Sequence, residues 1–187
     1  MARPSDFYFF FIGKTSMQLD QDNGFSGYPT DSIAMITDPT LCAESVKVAS
    51  FFLDNYAPAE QWEDPLGYSA WYISHGYLAM VLKEDGEILG VATARPVSDP
   101  SHGACAYAHD DRGSCIFVDC LVKKKGYNFS LAMLGFSMLL RQRFGPRETV
   151  AYFRRNEERM RVHDWRTFVR NLDRSKERIL HEQSVCA

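Results

Sequence analysis

Residues 114–144 show the strongest hydrophobic pattern in the chain, two apolar runs separated by a short basic turn. Residues 115–122 carry one charge, Asp119, among apolar side chains, which predicts a central strand covered on both faces. The turn at residues 123–126 contains a glycine, and a helix is predicted from about residue 128 to residue 144. Because a helix start offers free N–H groups and a positive dipole end, this unit is a candidate phosphate site. The alternative is a solvated basic turn between two core elements.

Two helices and a hairpin precede this unit. Residues 38–55 fit a helix with Asp38 as its N-cap, and residues 65–74 fit a second helix. Residues 77–83 and 87–97 alternate like strands on either side of an Asp-Gly pair. That pair predicts a hairpin, because glycine tolerates the positive φ that tight turns require.

Two further strands are predicted after the central helix. Residues 149–155 alternate as a strand, and residues 156–158 fit a turn that leads back into residues 159–168. The pattern therefore predicts a tight hairpin here and no helix between its strands.

The two ends of the chain are predicted to lie outside one domain that covers residues 33–168. Residues 18–32 are rich in Asp, Asn, Gly, Ser and Pro and show no sustained period, so residues 1–32 are predicted to be a loosely structured segment. Within it, the aromatic strip at residues 7–12 is a strand or a surface for a protein partner. Residues 32–37 fit a short strand, and residues 169–187 fit a charged tail or helix.

Composition favours a globular domain with a substantial core. The chain has 187 residues, of which 45% are hydrophobic and 13% aromatic, and no apolar run approaches the ~20 residues that span a bilayer. Five cysteines without a secretory signal predict reduced thiols and a cytoplasmic location, with no membrane association. Residues 1–138 carry 9 basic and 17 acidic side chains, whereas residues 139–187 carry 12 and 7. The basic end predicts contact with an anion, or only a solvated basic surface.

Two residue clusters each allow both a functional and a purely structural interpretation. In the first cluster, arginines alternate with aromatic residues. The arginines are Arg154, Arg155, Arg159 and Arg161, and the aromatic residues are Tyr152, Phe153 and Trp165. Nucleic-acid binding is the weaker alternative here, because strand alternation alone would put aromatics in the core and arginines in water. Four possible zinc ligands, His102, Cys105, His109 and Cys115, share one stretch, but their spacing lacks the paired knuckles of structural zinc sites. No metal is predicted.

The order of these elements resembles the GCN5-related N-acetyltransferase (GNAT) fold. In that family a central strand splays from its neighbour, acetyl-coenzyme A lies in the gap, and a Gln/Arg-x-x-Gly-x-Gly/Ala loop holds the diphosphate. The resemblance implies a single α/β (α+β) domain with a mixed, largely antiparallel sheet flanked by helices. It also implies that backbone groups of Leu121 and Val122 hold the pantetheine arm. The loop positions correspond to Lys123, Lys124, Lys125, Gly126, Tyr127 and Asn128.

The resemblance also implies a chemistry, acyl transfer from acetyl-coenzyme A to a primary amine of a small molecule or protein. Asp119 is then the candidate general base, since burial raises a carboxyl pKa, and Tyr152 or Tyr127 is the candidate phenol beside the thiolate. The structural alternative for Asp119 is a carboxylate whose hydrogen bonds hold the strand where it splays. The structural alternative for the tyrosine is a half-buried aromatic side chain. Because the family's tyrosine-bearing helix has no counterpart after residue 153, a non-catalytic binding or assembly module of the same fold is the alternative function.

Overall fold

A computed structural model of the chain describes residues 7–11, 43–83, 85–105, 107–154 and 159–174. The predicted strand at residues 32–37 and the predicted cap at Asp38 lie outside the described residues.

The described strands form one six-stranded sheet whose spatial order follows the chain, from β1 to β6. The strands are β1 (Phe7–Phe11), β2 (Leu78–Lys83), β3 (Ile88–Val97), β4 (Cys115–Lys123), β5 (Thr149–Phe153) and β6 (Met160–Asp164). Neighbours pair antiparallel except β4 and β5, which are parallel. The mixed, largely antiparallel sheet and the two predicted hairpins are therefore confirmed.

Helices lie between β1 and β2 and between β4 and β5, and one more follows β6. They are α1 (Ala43–Asn55), α2 (Pro65–Ser74), α3 (Ser130–Leu139) and α4 (residues 165–174), with a π-helical turn over Leu140–Phe144. The start of α2 has a clear local cause, because Asp64 accepts the Gly67 N–H at 2.7 Å and Pro65 fixes the first turn. Among the described helices, none is long and apolar enough to cross a membrane.

The end of the predicted last strand differs from expectation. β6 stops at Asp164, and α4 begins at the next residue, because the Asp164 carboxylate accepts the Thr167 N–H at 2.9 Å and caps the helix. The Asp-x-x-Thr spacing is the local signal for this start. Helix α4 also crosses residue 168, where the predicted domain ends.

The helices divide between the two faces of the sheet. On one face, the Tyr68 hydroxyl of α2 lies 2.9 Å from the Thr93 hydroxyl of β3, which places α1 and α2 there. On the other face, Phe136 of α3 packs against Phe168 of α4, with ring centroids 6.0 Å apart. We call these the α1/α2 face and the α3/α4 face. Burying apolar side chains on both faces makes β4 a central strand, as its sequence predicts.

Candidate functional site

Strands β4 and β5 separate half-way along their length. They pair only from Cys115–Val118 to Thr149–Tyr152, whereas β4 continues to Lys123 in contact with β3. Beyond Val118 the β5 side of β4 has no strand partner among the described residues. We call this opening the β4–β5 cleft and its closed end the cleft apex.

The cleft exposes specific backbone groups of β4. The Lys124 N–H donates to the Leu89 carbonyl at 2.8 Å, so Lys124 points toward β3. Backbone N–H and C=O groups alternate in direction along a strand. The peptide groups of Val122 therefore also point toward β3, and the peptide groups of Leu121 and Lys123 face the cleft. Of the two residues predicted to hold pantetheine through their backbone, only Leu121 thus has its peptide groups on the cleft side.

A β-bulge lies directly at the cleft apex. Thr93 pairs with Cys120 and Ala94 pairs with Val118, so Asp119 is an extra residue with no partner on β3. A bulge bends its strand and redirects a side chain. Here it puts the Asp119 carboxylate on the α1/α2 face.

Asp119 is held there by Arg95, in a buried ion pair. Arg95 is 2% exposed, and its Nε lies 3.2 and 3.3 Å from the two carboxylate oxygens, with Nη2 3.1 Å from Oδ1. The same guanidinium donates to the carbonyls of Gly103 (2.9 Å) and Ala108, which fixes the segment between β3 and β4 over the ion pair. Arg95 therefore joins the bulge to the β3–β4 connection.

The carboxyl at the bulge is poised to exchange a proton near neutral pH. Desolvation raises the pKa of Asp119 to about 6, although the Arg95 charge and a hydrogen bond from Tyr72 oppose the increase. The side chain keeps 13% exposure. An ionised carboxylate with this pKa is a competent general base at pH 7.

Gly103 must be a glycine for this arrangement to form. A Cβ on Gly103 would lie 1.9 Å from Cδ2 of Phe117, whose ring packs beneath the Arg95 guanidinium. We expect Gly103→Ala to lower the free energy of unfolding by about 2 kcal/mol through overpacking. Urea denaturation measures this loss. Gly86→Ala is the control for glycine loss in open space, because no atom lies within 4 Å of its Cβ position, and only backbone strain at its φ of +82° should act there.

Tyr152 lies at the cleft apex on the opposite face. Phe117 pairs with both Arg95 and Ala151, so these three share the α1/α2 face, and the neighbouring pair Val118 and Tyr152 points to the α3/α4 face. The structure therefore brings both predicted catalytic residues to the apex but separates them by the thickness of the sheet.

The Tyr152 side chain has defined partners on that face. Its hydroxyl lies 3.2 Å from Nε2 of His163, and the two rings stack with centroids 5.5 Å apart and 14° between their planes. Phe168 packs against both rings, with centroids 6.4 and 5.9 Å away.

The predicted phosphate loop follows β4 as a tight turn. Gly126 has φ +85°, and the Tyr127 N–H donates to the Lys124 carbonyl at 3.1 Å. Tyr127 is 36% exposed and Asn128 is exposed. The turn leads into α3, whose N-cap residue, Phe129, makes no side-chain capping hydrogen bond.

The three lysines of this loop are not equivalent. The Lys124 ammonium pairs with Glu87, and the Lys125 N–H donates to the Asn55 side chain at 2.8 Å. Within the described residues, neither Lys123 nor Lys125 has an ion pair through its ammonium group. These two are therefore the available cations.

Sequence patterns had missed the partners Arg95, Asn55 and Glu87. Arg95 offered a detectable signal, because a charge within the apolar run of β3 requires a buried partner. Asn55 and Glu87 gave none, since each is an ordinary polar residue at the end of an element.

The separation of β4 from β5 and the mixed, largely antiparallel sheet flanked by helices are the features that the sequence resemblance implied. No protein-family profile matches the chain, and no curated protein matches it. A solved structure of a GNAT-like decarboxylase, GphF, in complex with isobutyryl-CoA matches with 19% identity and a TM-score of 0.45, over 62% of each chain. The chain thus spans less than two thirds of that protein, and the likeness concerns backbone arrangement alone.

The remaining candidates of the sequence do not form a common site. Cys115 is buried at the start of β4, whereas His102, Cys105 and His109 are exposed, and no group of metal-ligating side chains occurs among the described residues. The aromatic residues that alternate with arginines do not share one surface. Trp165 is buried in α4, whereas Phe153 is 45% exposed.

Proposed function

We propose that this protein binds an acyl-coenzyme A thioester in the β4–β5 cleft and transfers the acyl group to a primary amine. The observation that carries the proposal is the open edge of β4 beyond Val118, inside an otherwise paired sheet.

An open strand edge inside a fold requires a hydrogen-bonding partner. The pantetheine arm carries two amides in an extended chain, so it can add to the cleft side of β4 as a peptide strand would. The peptide groups of Leu121 and Lys123 then bond the arm. Val122 contributes packing, because its backbone is already paired with β3.

The loop after β4 supplies the charge that the nucleotide end of coenzyme A needs. Lys123 and Lys125 neutralise phosphate oxygens, and Gly126, Tyr127 and Asn128 carry the chain to the start of α3. Lys124 supports the loop through Glu87.

With the arm along β4, the thioester lies at the cleft apex beside the bulge. Asp119 then takes the proton of the attacking amine from the α1/α2 face. The amine nitrogen forms a bond to the thioester carbon, and the bond between that carbon and sulfur breaks.

Calorimetric titration with acetyl-coenzyme A tests the binding site. We expect the double variant Lys123→Ala/Lys125→Ala to bind about tenfold more weakly, because two charged contacts to phosphate are lost. Its affinity for S-acetylpantetheine, which lacks the phosphates, should be unchanged. Lys47→Ala, an exposed lysine of α1, is the matched control.

Absence of acetyl-coenzyme A binding by the unaltered protein at millimolar concentration would refute the site. Binding without thiol release in the presence of amines would refute the transfer and leave the non-catalytic binding module as the function. An effect of the double variant that persists in high salt would also count against phosphate contacts, because exposed charges are screened there.

A further inference from the structure

The β5–β6 hairpin carries apolar side chains that remain exposed on the α1/α2 face. Phe117 pairs with Ala151, and Ala151 pairs with Val162, so Val162 lies on that face. Strand alternation puts Phe153 there as well, and Met160 is its direct partner on β6. Ala151 is fully buried, whereas Phe153 is 45% exposed and Val162 is 46% exposed. We call Phe153, Met160 and Val162 the hairpin patch.

The hairpin patch is contiguous and its aromatic ring is held in place. Phe153 and Met160 are cross-strand neighbours, and Val162 lies diagonally across from Phe153. The Phe153 ring meets the Phe117 ring edge to face, with centroids 6.0 Å apart and 67° between the planes. Single exposed apolar side chains are common on protein surfaces, but core packing does not require neighbouring ones on one strand pair. The hairpin patch is therefore a candidate contact surface.

The hairpin patch begins at the cleft apex, across from Asp119. Val118 and Tyr152 are the last residues paired between β4 and β5. Because these strands are parallel, the next residue on β4 is Asp119 and the next on β5 is Phe153, and both side chains lie on the α1/α2 face. The carboxylate and the phenyl ring thus flank the same mouth of the cleft. An amine that reaches Asp119 from this side has its remaining atoms beside Phe153.

The residues of the hairpin favour an uncharged group at this position. Among the residues of β5 and β6 on the α1/α2 face, the only charged one is Asp164, at the far end of the hairpin, where it caps α4. Arg161 pairs with Tyr152 and therefore points to the α3/α4 face. The two strands thus offer no cation to a carboxylate or phosphate on the acceptor, but they offer apolar area that an apolar group would cover.

We propose that the hairpin patch binds the apolar substituent of the acceptor, so that the substrate class is primary amines that carry an aliphatic chain or an aryl group. The nitrogen lies at Asp119, and the carbon chain lies across Phe153 toward Val162. Each methylene that the patch removes completely from water improves capture of the amine by about three- to fourfold. This inference rests on the acyl transfer proposed above.

Selectivity among n-alkylamines tests the hairpin patch, because methylamine, butylamine and hexylamine have nearly the same basicity and differ only in chain length. Thiol release from acetyl-coenzyme A by the full chain gives kcat/KM for each amine. We expect kcat/KM to rise about tenfold or more from methylamine to hexylamine, because an open surface covers only part of each added methylene.

Two variants locate the origin of this selectivity. Phe153→Ser and Val162→Ser should each lower the ratio of kcat/KM for hexylamine to kcat/KM for methylamine by about three- to tenfold. Both side chains are about half exposed, so neither substitution opens a cavity in the core. Leu53→Ser is the matched control, because Leu53 of α1 is also 45% exposed, and it should leave the ratio unchanged.

Each contrary result has a distinct meaning. If the unaltered protein transfers the acetyl group equally well to methylamine and hexylamine, or if both variants keep the preference for hexylamine, the inference is wrong and the proposed function stands. The inference is also wrong if the variants change only the preference among acetyl-, butyryl- and hexanoyl-coenzyme A, or only self-association in sedimentation. The patch would then bind the acyl chain or a second copy of the protein. If the unaltered protein releases no thiol with any amine, the acyl transfer and this inference are both overturned.

Discussion

Replacing Arg95 with methionine should lower the free energy of unfolding by about 3–5 kcal/mol at neutral pH, the largest loss expected of any single substitution in the site. Methionine fills much of the volume of arginine but leaves the Asp119 charge without its partner in a buried setting. It also leaves the Gly103 and Ala108 carbonyls without their donor. Urea denaturation followed by circular dichroism measures the loss.

Two variants separate the contributions to this loss. Arg95→Met/Asp119→Leu removes both charges, so it should recover the part that comes from the unpaired carboxylate and stay below the unaltered protein by about 1–3 kcal/mol, because the carbonyls remain unbonded. Arg112→Met, an exposed arginine in the same connection, should change stability by less than about 0.5 kcal/mol. A double variant no more stable than Arg95→Met would show that the ion pair does not account for the loss.

Stability should also fall as the pH rises through about 6, because of Asp119. Its pKa is raised to about 6 in the folded protein, so folding favours the protonated form. That contribution is fully present below the ordinary carboxyl pKa and is lost as the pH passes the folded value. A pKa that is roughly two units higher in the folded than in the unfolded protein corresponds to about 3 kcal/mol in the free energy of unfolding.

The comparison with Asp119→Asn isolates this effect, because every other titrating group is shared. From about pH 4 to about pH 8, the unaltered protein should lose roughly 3 kcal/mol relative to the variant. Asp110→Asn provides a control of opposite sign. Hydrogen bonds from the Arg112 N–H and the Ser98 hydroxyl lower the Asp110 pKa, so the stability it contributes is lost on acidification. A difference between the unaltered protein and Asp119→Asn that does not vary with pH would contradict the raised pKa.

Local patterns along the chain were sufficient to predict most elements. The Asp-Gly turn predicted the β2–β3 hairpin, and the glycine there does adopt φ +82°. The pattern of residues 65–74 predicted α2, and the nearly uncharged run of β4 predicted a strand buried on both faces. These predictions succeed because their causes, turn geometry and burial, act within a few residues.

The arrangement of the site depends on contacts between distant residues, and local patterns do not contain them. Asp119 and Arg95 are 24 positions apart, and no periodicity indicates that they meet. The same holds for Tyr152 and His163, whose contact follows from the register of β5 and β6. A bulge also reverses the alternation of β4, so counting residues through Asp119 would assign the wrong face to each side chain beyond it.

The agreement between spatial and chain order in the sheet has a consequence for how the protein folds. From β2 to β6, each strand pairs with the one synthesised just before it, so these strands can be added one at a time as the chain emerges from the ribosome. The parallel step from β4 to β5 is slower, because α3 must first cross the sheet and close a long loop. Until β5 arrives, the whole β5-facing edge of β4 stays open. The nascent chain is therefore most prone to wrong strand pairing in that interval, and pairing with β5 then covers the edge only from Cys115 to Val118.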